Sequence, residues 1–204
     1  MFDALFTTTT DYKKLSHALS GKGSCALFGL PASGRAQVYA ALCRQLDQQL
    51  CIVTPGEAEA TRFAADLNTL GIPAAVFPAR DSVLRPIEGT AREYEYRRLA
   101  VLGELVGGRL RAVAVPAEAL TQFTTPKEDF CANTRTLHAG DTLLRDDLLA
   151  ALFGAGYTRR AQVDGPGQFS VRGDIVDIFA PDQKMPVRME FWGDEIDTLH
   201  TFDL

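Results

Sequence analysis

The sequence of 204 residues predicts an α/β protein in which a parallel-sheet domain, residues 1–123, precedes a smaller α+β domain with antiparallel strands, residues 124–204. In the first part, short apolar stretches alternate with segments of helical spacing. From Tyr157 onward, short alternating segments are separated by the Gly, Pro and Asp pairs typical of hairpin turns. The 46% content of hydrophobic residues is ordinary for a soluble globular chain.

The first domain is predicted to contain strands that alternate with helices, which implies a parallel sheet covered on both faces. Its second helix is Ala-rich, with Phe63, Leu67 and Leu70 on one side and Gly71 as its C-cap. The predicted strands are residues 24–28, 50–55, 73–78 and 111–116, and the predicted helices are residues 36–50, 57–71, 90–105 and 117–123.

The second domain is predicted to begin with one helix and to continue as antiparallel hairpins. Gly165, Pro166 and Gly167 separate two of the segments, and Gly193 with Asp194 separates two others. The predicted helix is residues 141–156, and the predicted strands are residues 157–163, 168–173, 174–180, 186–192 and 195–203.

Charge and composition exclude several classes of function. The net charge is −5, and residues 124–204 alone carry 8 Lys and Arg against 14 Asp and Glu, which argues against non-specific nucleic-acid binding. The four cysteines lack C-x-x-C spacing, so neither a disulfide framework nor a metal site is expected. A signal peptide and an apolar span of membrane length are both lacking, which predicts a cytoplasmic protein without a membrane partner.

The stretch GLPASGRA lies between a predicted strand and a predicted helix, where a nucleotide-binding protein carries its phosphate loop. Gly29 and Gly34 keep the six-residue frame, and Ser33 precedes the second glycine. Arg35 replaces the lysine that reaches the phosphates, and Ala36 replaces the hydroxyl that holds magnesium. The domain is therefore predicted to be P-loop-like but degenerate, without hydrolysis; a plain glycine-containing turn and weak anion binding at the helix N-terminus both remain open.

The segment from Tyr157 to Asp203 is similar to a module shared by the excision-repair helicase UvrB and the bacterial transcription-repair coupling factors (Mfd). The shared pattern is Y-x-R, then G-x-F-x-V-R-G-D-I-x-D-I-F, then R-x-E-F-x-G-D-E-I, then F-D. This chain matches it at Tyr157, Arg159, Gly167, Phe169, Val171, Arg172, Gly173, Asp174, Asp177, Phe179, Arg188, Glu190, Gly193, Asp194 and Glu195. The resemblance extends more loosely over the whole chain.

Two departures from UvrB favour the coupling factors. UvrB resembles this chain at the loop but keeps G-x-x-G-S-G-K-T, which Arg35 and Ala36 break. The interval from Phe77 to Arg98 is also too short for the Tyr-rich hairpin with which UvrB wedges into DNA. The resemblance thus implies an N-terminal portion of a coupling factor, with a UvrB domain 1a-like part followed by a UvrB domain 2-like part.

The family then implies that the second domain binds UvrA, the damage-recognition ATPase, and recruits it to stalled transcription complexes. It implies no catalysis and no cofactor in this portion, since ATP and Mg²⁺ are expected only in the translocase domains of the longer factors. RNA polymerase and double-stranded DNA are likewise expected to bind other domains. One alternative is a divergent UvrB-type ATPase fragment that handles DNA. A second alternative is a nucleic-acid-binding module, which the net negative charge of residues 124–204 makes the less favoured of the two.

The UvrA-binding positions of the family fall on Arg159 and Arg172, whereas a further arginine of the UvrB pattern is Ser170 here. Strand alternation predicts that Phe169 packs inward and that Arg172 is exposed. A Gly-Pro-Gly hairpin is predicted to bring Arg159 and Arg160 beside them, so that three guanidinium groups gather. The candidate partner-binding residues are Arg159, Arg160, Phe169, Arg172, Gly173 and Phe179.

Some of these residues also have a purely structural interpretation. Arg172 could pair with Asp174 or Asp177 within the sheet, where an exposed ion pair contributes only about 0–1 kcal/mol. Asp177 is predicted to be buried, and a buried carboxylate needs a partner, for which Arg188 is the candidate.

Overall fold

A computed structural model of the chain describes residues 7–21, 23–80 and 90–204, and it divides them into two compact units. The first unit comprises the described residues up to 80 together with residues 104–122. The second comprises residues 90–103 together with residues 123–204. The two sheets confirm a mixed α/β fold, because one is parallel with three strands and the other is mixed with five.

The first unit is a three-stranded parallel sheet covered by helices. Its strands lie in the order β1, β3, β2, so the last of these three strands along the chain occupies the centre. All five residues of that central strand are buried, as expected for a parallel strand with both faces covered. The elements are α1 (Thr10–Ser20), α2 (Ala32–Leu46), β1 (Leu50–Thr54), α3 (Glu57–Thr69), β2 (Ala74–Val76), β3 (Ala112–Pro116) and α5 (Ala117–Leu120).

Helix α3 forms where the sequence predicts it. Glu57 and Glu59 stand in its first turn, where carboxylates favour the positive end of the helix dipole. Phe63 and Leu67 are buried against the sheet, and the chain leaves the helix through Gly71 at φ 76°. Only a residue without a Cβ adopts that left-handed conformation without strain.

The predicted strand at residues 24–28 is wrong. Among the residues that the structure describes, this segment pairs with no strand, and the side chains of Leu27 and Phe28 are exposed, the latter at 87%. A short apolar stretch forms a strand only if it can pair with a sheet, and β1 and β2 both pair with β3 instead. Helix α2 also starts at Ala32, four residues earlier than predicted, so most of GLPASGRA is helical.

The second unit is a mixed sheet with the strand order β4, β5, β6, β7, β8 and helix α7 packed on one face. Strands β5 to β8 are antiparallel neighbours, as predicted. The elements are α4 (Thr90–Val106, of which residues 90–103 belong here), α6 (Lys127–Ala132), α7 (Arg145–Gly154), β4 (Thr158–Arg159), β5 (Gln168–Arg172), β6 (Ile175–Phe179), β7 (Val187–Trp192) and β8 (Glu195–Thr201).

The predicted hairpin between β4 and β5 is wrong. Thr158 pairs with Gln168 and Arg159 with Phe169 in parallel, so residues 160–167 return the chain to the starting end of the sheet. A tight turn would have made the two strands antiparallel. Because β4 has only two residues, the chain needs to travel back only a short distance before β5 begins.

The core of the second unit lies between its sheet and helix α7. Phe169 is its centre, with no exposed surface, and its ring meets that of Phe153 edge-on at 5.1 Å between centroids. The buried residues of this core are Leu148, Leu152, Phe169, Val176, Ile178, Met189, Phe191 and Ile196.

The first part of α4 packs on the second unit rather than on the domain to which the sequence assigned it. The ring of Tyr96 fills the space that a Cβ of Gly167 would occupy. Arg98 is buried and donates hydrogen bonds to Phe123 O and to Thr124 Oγ1 at 3.1 Å. The main-chain division falls at residue 122, beside the predicted boundary of 123, but the second unit also holds residues 90–103.

Candidate protein-binding surface

The five-stranded sheet has a second face, opposite to the one that α7 covers, and this face carries polar side chains. Along β7, Val187, Met189 and Phe191 belong to the core cluster. The alternating side chains of the same strand therefore point to the other side. We call this side the polar face; it comprises Ser170, Arg172, Ile175, Asp177, Arg188, Glu190 and Trp192.

The inner row of the polar face is a buried ion pair. The register aligns Ser170 with Asp177 and Asp177 with Arg188. Asp177 is only 2% exposed and accepts two hydrogen bonds from Arg188, from Nε at 2.7 Å and from Nη2 at 2.9 Å. The Ser170 hydroxyl donates to the same carboxylate at 3.3 Å. The predicted pair of Asp177 with Arg188 is confirmed.

This pair is held further by its surroundings. The hydrogen bond to Asp177 raises the pKa of Arg188 above its ordinary value, although burial acts in the opposite direction. The Arg188 guanidinium also lies over the ring of Phe202, at 4.9 Å from the centroid, within the range of a cation–π contact. The inner row therefore stabilises the sheet and fixes the strands on either side of it.

The outer row of the polar face places Arg172, Ile175 and Glu190 side by side across three strands. Arg172 is exposed and donates from Nη2 to Ala161 O at 3.2 Å. Its predicted structural partners are taken by other residues, since Asp177 binds Arg188 and Asp174 binds Arg145 at 3.1 Å. This single hydrogen bond leaves most of the five N–H donors of the guanidinium available to a partner.

The predicted gathering of three guanidinium groups on one face is wrong. Arg159 pairs with Phe169, so its side chain leaves the sheet on the side of the core, opposite to Arg172. Arg160 continues the ladder through its N–H, which donates to Phe169 O at 2.8 Å, and alternation places its side chain on the side of Arg172. Both arginines are exposed.

Three further candidate residues differ in their accessibility. Phe169 and Phe179 are buried, so the prediction that they touch a partner directly is corrected: they support the strands that carry Arg172. Gly173 is exposed at the β5–β6 turn with φ 59°, and its carbonyl accepts a hydrogen bond from Arg145 Nη1 at 2.9 Å. This turn is thus tied to the start of α7.

Sequence reasoning missed two residues of the polar face as candidates. Glu190 stands next but one to Arg172 in the outer row, and Trp192 lies at the end of the same strand with 83% of its surface exposed. Alternation along β7 could have found both, since Met189 and Phe191 are the apolar positions on either side of Glu190.

The stretch GLPASGRA leads into helix α2. Ser33, Gly34, Arg35 and Ala36 lie in the first turns of α2, and Ala36 is buried in the core. The guanidinium of Arg35 contacts Glu59 Oε1 at 3.4 Å and lies 5.8 Å from the centre of the Phe63 ring. Gly29 precedes the helix at φ 79°. The P-loop-like shape predicted for this stretch is not found.

Within residues 7–21, 23–80 and 90–204, no group of three or more His, Cys, Asp or Glu is arranged to hold a metal ion. In the same ranges, no helix has the length and apolarity needed to cross a membrane.

Comparison with known families identifies the class of the second unit. Residues 136–204 match the family described as the UvrB interaction domain. This range contains α7 and all five strands of the mixed sheet, and so the whole polar face. The polar face therefore lies within the residues that match this family.

Similar proteins give a more specific comparison than the domain family does. The chain is 35% identical over 201 residues to the transcription-repair-coupling factor of Mycobacterium tuberculosis (strain CDC 1551 / Oshkosh) and 28% identical over 196 residues to that of Bacillus subtilis (strain 168). Each alignment covers 95% of this chain but only 16–17% of the relative. The chain is thus similar over nearly its whole length to a part of transcription-repair-coupling factors, and it spans about one sixth of their length.

Proposed function

We propose that this chain is a non-catalytic module of transcription-coupled repair that recruits UvrA through the polar face of its second unit. The observation that carries the proposal is the outer row, in which Arg172 is exposed beside Ile175 and Glu190 within a UvrB interaction domain. The similarity to transcription-repair-coupling factors supports a role in this process, and UvrA is the partner that we add.

The chemistry of the outer row suits a protein partner. An arginine fork forms two parallel hydrogen bonds to a carboxylate, and arginine is enriched among the residues that dominate binding energy. Arg172 is held by Ala161 O before any partner arrives, which reduces the entropy lost on binding. Glu190, two strands away, offers the opposite charge, so a partner needs an acidic and a basic group at matching positions.

The first unit supports a non-enzymatic role. A working phosphate loop needs a lysine and a hydroxyl that face the nucleotide. Here Arg35 contacts Glu59, and Ala36 is buried. We assign ATP, Mg²⁺, RNA polymerase and duplex DNA to other segments of the coupling factors.

The proposal is tested by measuring the affinity of this chain for purified UvrA by isothermal titration. We expect Arg172→Glu to raise the Kd at least about thirtyfold, which corresponds to about 2 kcal/mol. Arg62→Glu makes the same charge change at an exposed position of α3 and is expected to leave the Kd unchanged. Equal affinities of Arg172→Glu and wild type, with equal thermal melts, would contradict the proposal.

Arg159 gives a second arm of the same experiment. Because its side chain lies on the core side of the sheet, we expect Arg159→Ala to weaken UvrA binding less than Arg172→Glu does. An effect as large as that of Arg172→Glu would mean that the partner wraps around the β4 edge.

The rival functions have their own signatures. Micromolar binding of Mg-ATP would favour a divergent ATPase, and a salt-dependent shift with duplex DNA would favour a nucleic-acid module. We expect neither from this chain.

A further inference from the structure

Trp192 is the only tryptophan of the chain, and 83% of its surface is exposed. It ends β7, and it points to the polar face because Phe191, the residue before it, points into the core. Large aromatic side chains are usually buried in part, so an indole held in water at the end of a strand needs an explanation.

The turn that presents Trp192 is braced. Trp192 pairs with Glu195 across Gly193 and Asp194, and Gly193 takes the φ of 62° that such a tight hairpin requires. Leu143 donates to Asp194 O at 2.7 Å, so the segment before α7 holds the turn from a second side. The indole therefore stands on a fixed support rather than on a loose end.

The charges around the indole indicate what covers it. Glu190 precedes Trp192 by two residues on the same face, and Glu195 pairs with it directly. Glu195 is exposed, and the salt bridges found among the described residues do not include it. A surface that covers Trp192 thus brings a basic group to meet these carboxylates, since like charges would oppose contact.

We propose that Trp192 is an anchor residue that inserts into an apolar pocket of UvrA, rimmed by a Lys or Arg that pairs with Glu195. The proposal rests on the proposed function and adds a second contact beyond the outer row. Tryptophan is among the residues most often found at the energetic centre of an interface, where its indole loses its water. In this proposal Arg172 makes a charged contact with UvrA, and Trp192 makes an apolar one.

The single tryptophan allows a test that needs no substitution. A chain labelled with 5-fluorotryptophan gives one ¹⁹F resonance, because Trp192 is the only position labelled. In the free chain a soluble gadolinium chelate is expected to broaden this resonance strongly. On addition of unlabelled UvrA the resonance is expected to shift and to become protected from the chelate.

Variants measure how much Trp192 contributes. We expect Trp192→Ala to raise the Kd for UvrA at least tenfold and Glu195→Lys to raise it several-fold. Phe123→Ala is the matched control, since this aromatic side chain is 92% exposed and lies outside the polar face; its Kd is expected to match wild type. A thermal melt of each variant excludes unfolding.

Two negative outcomes are distinguishable. If UvrA binds the wild type and Arg172→Glu blocks it, but the fluorine resonance stays exposed and Trp192→Ala binds normally, the inference is overturned and the proposed function stands. If UvrA does not bind the wild type, both are overturned.

Discussion

Arg35 marks the degenerate phosphate loop of the first unit, and Arg172 marks the proposed partner-binding strand of the second. The two side chains have different surroundings in the structure. Arg35 stands where a phosphate-binding lysine is expected, but Glu59 and the Phe63 ring hold it against α3. Arg172 stands where a partner-binding arginine is expected, and it remains exposed with a single bond to Ala161 O. The two positions differ in what holds the guanidinium: Arg35 contacts a carboxylate and a ring of its own unit, whereas Arg172 makes one hydrogen bond to a backbone carbonyl.

The same contrast exists within the polar face. Its inner row, with Asp177 and Arg188, is satisfied internally, whereas its outer row, with Arg172 and Glu190, offers charges outward. We therefore expect inner-row substitutions to change stability and outer-row substitutions to change binding.

The largest change in stability is expected from Asp177→Ala. This substitution leaves the Arg188 guanidinium without the carboxylate that it binds through two hydrogen bonds. Breaking a buried pair from one side typically costs 3–5 kcal/mol, and we expect about 3 kcal/mol because Arg188 is partly exposed. Urea unfolding measures the loss.

Asp174→Ala is the control for that experiment. Asp174 binds Arg145 at 3.1 Å, but its carboxylate is largely exposed, so we expect a loss of about 0.5 kcal/mol. If the two substitutions cost the same, the distinction between a buried and an exposed pair is wrong.

A smaller loss, about 2 kcal/mol, is expected from Gly167→Ala. Gly167 has φ 73°, which an alanine adopts only with strain, and the Tyr96 ring occupies the space of the new methyl group. Tyr96→Ala removes the obstacle, so the double variant is expected to lose less than the sum of the single losses. Strict additivity would show that α4 does not pack on the second unit at this point.

Alkaline pH is expected to weaken the second unit through Tyr157. Burial, and then the charges of Asp182 and Tyr96, raise its pKa to about 12, compared with 10 for an ordinary tyrosine. The neutral phenol is favoured in the fold, so its stabilising contribution is complete below pH 10 and is lost as the pH rises through 12. Tyr157→Phe is expected to flatten this part of the stability profile, and an unchanged profile would exclude Tyr157 as its origin.

The smallest effects are expected in the degenerate loop. Arg35→Ala removes an exposed ion pair and is expected to cost at most about 1 kcal/mol. Restoring the consensus with Arg35→Lys and Ala36→Thr is expected to give no binding of Mg-ATP by isothermal titration, because position 36 is buried and the helix already begins at Ala32. Magnesium-dependent binding of ATP by this double variant would show that the loop differs from a working phosphate loop only in the side chains at positions 35 and 36.

Local patterns predicted most elements and the antiparallel arrangement of the last four strands, but not every pairing. The 3.6-residue period of Phe63 and Leu67 located α3, and alternation located the last four strands of the second sheet. The parallel pairing of Arg159 with Phe169 escaped prediction because period-2 patterns do not encode strand direction. The exposure of Phe28 was not predicted, because the apolar character of a segment does not indicate whether a strand of the sheet is available to pair with it.

The candidate site was also predictable only in part, because strand alternation indicates which side chains share a face but not which strands are neighbours. The exposure of Arg172 and the pair of Asp177 with Arg188 followed from alternation and from the need of a buried charge for a partner. The outer row required the register across three strands, which joins Arg172 to Glu190 over 18 positions of sequence.

One comparison of affinities tests the central claim most directly: the Kd of UvrA for the wild type, for Arg172→Glu and for Arg35→Glu, measured side by side by isothermal titration. The account predicts that Arg172→Glu loses binding and that Arg35→Glu retains the affinity of the wild type. Loss of binding in Arg35→Glu with full binding in Arg172→Glu, both variants being folded, would contradict it.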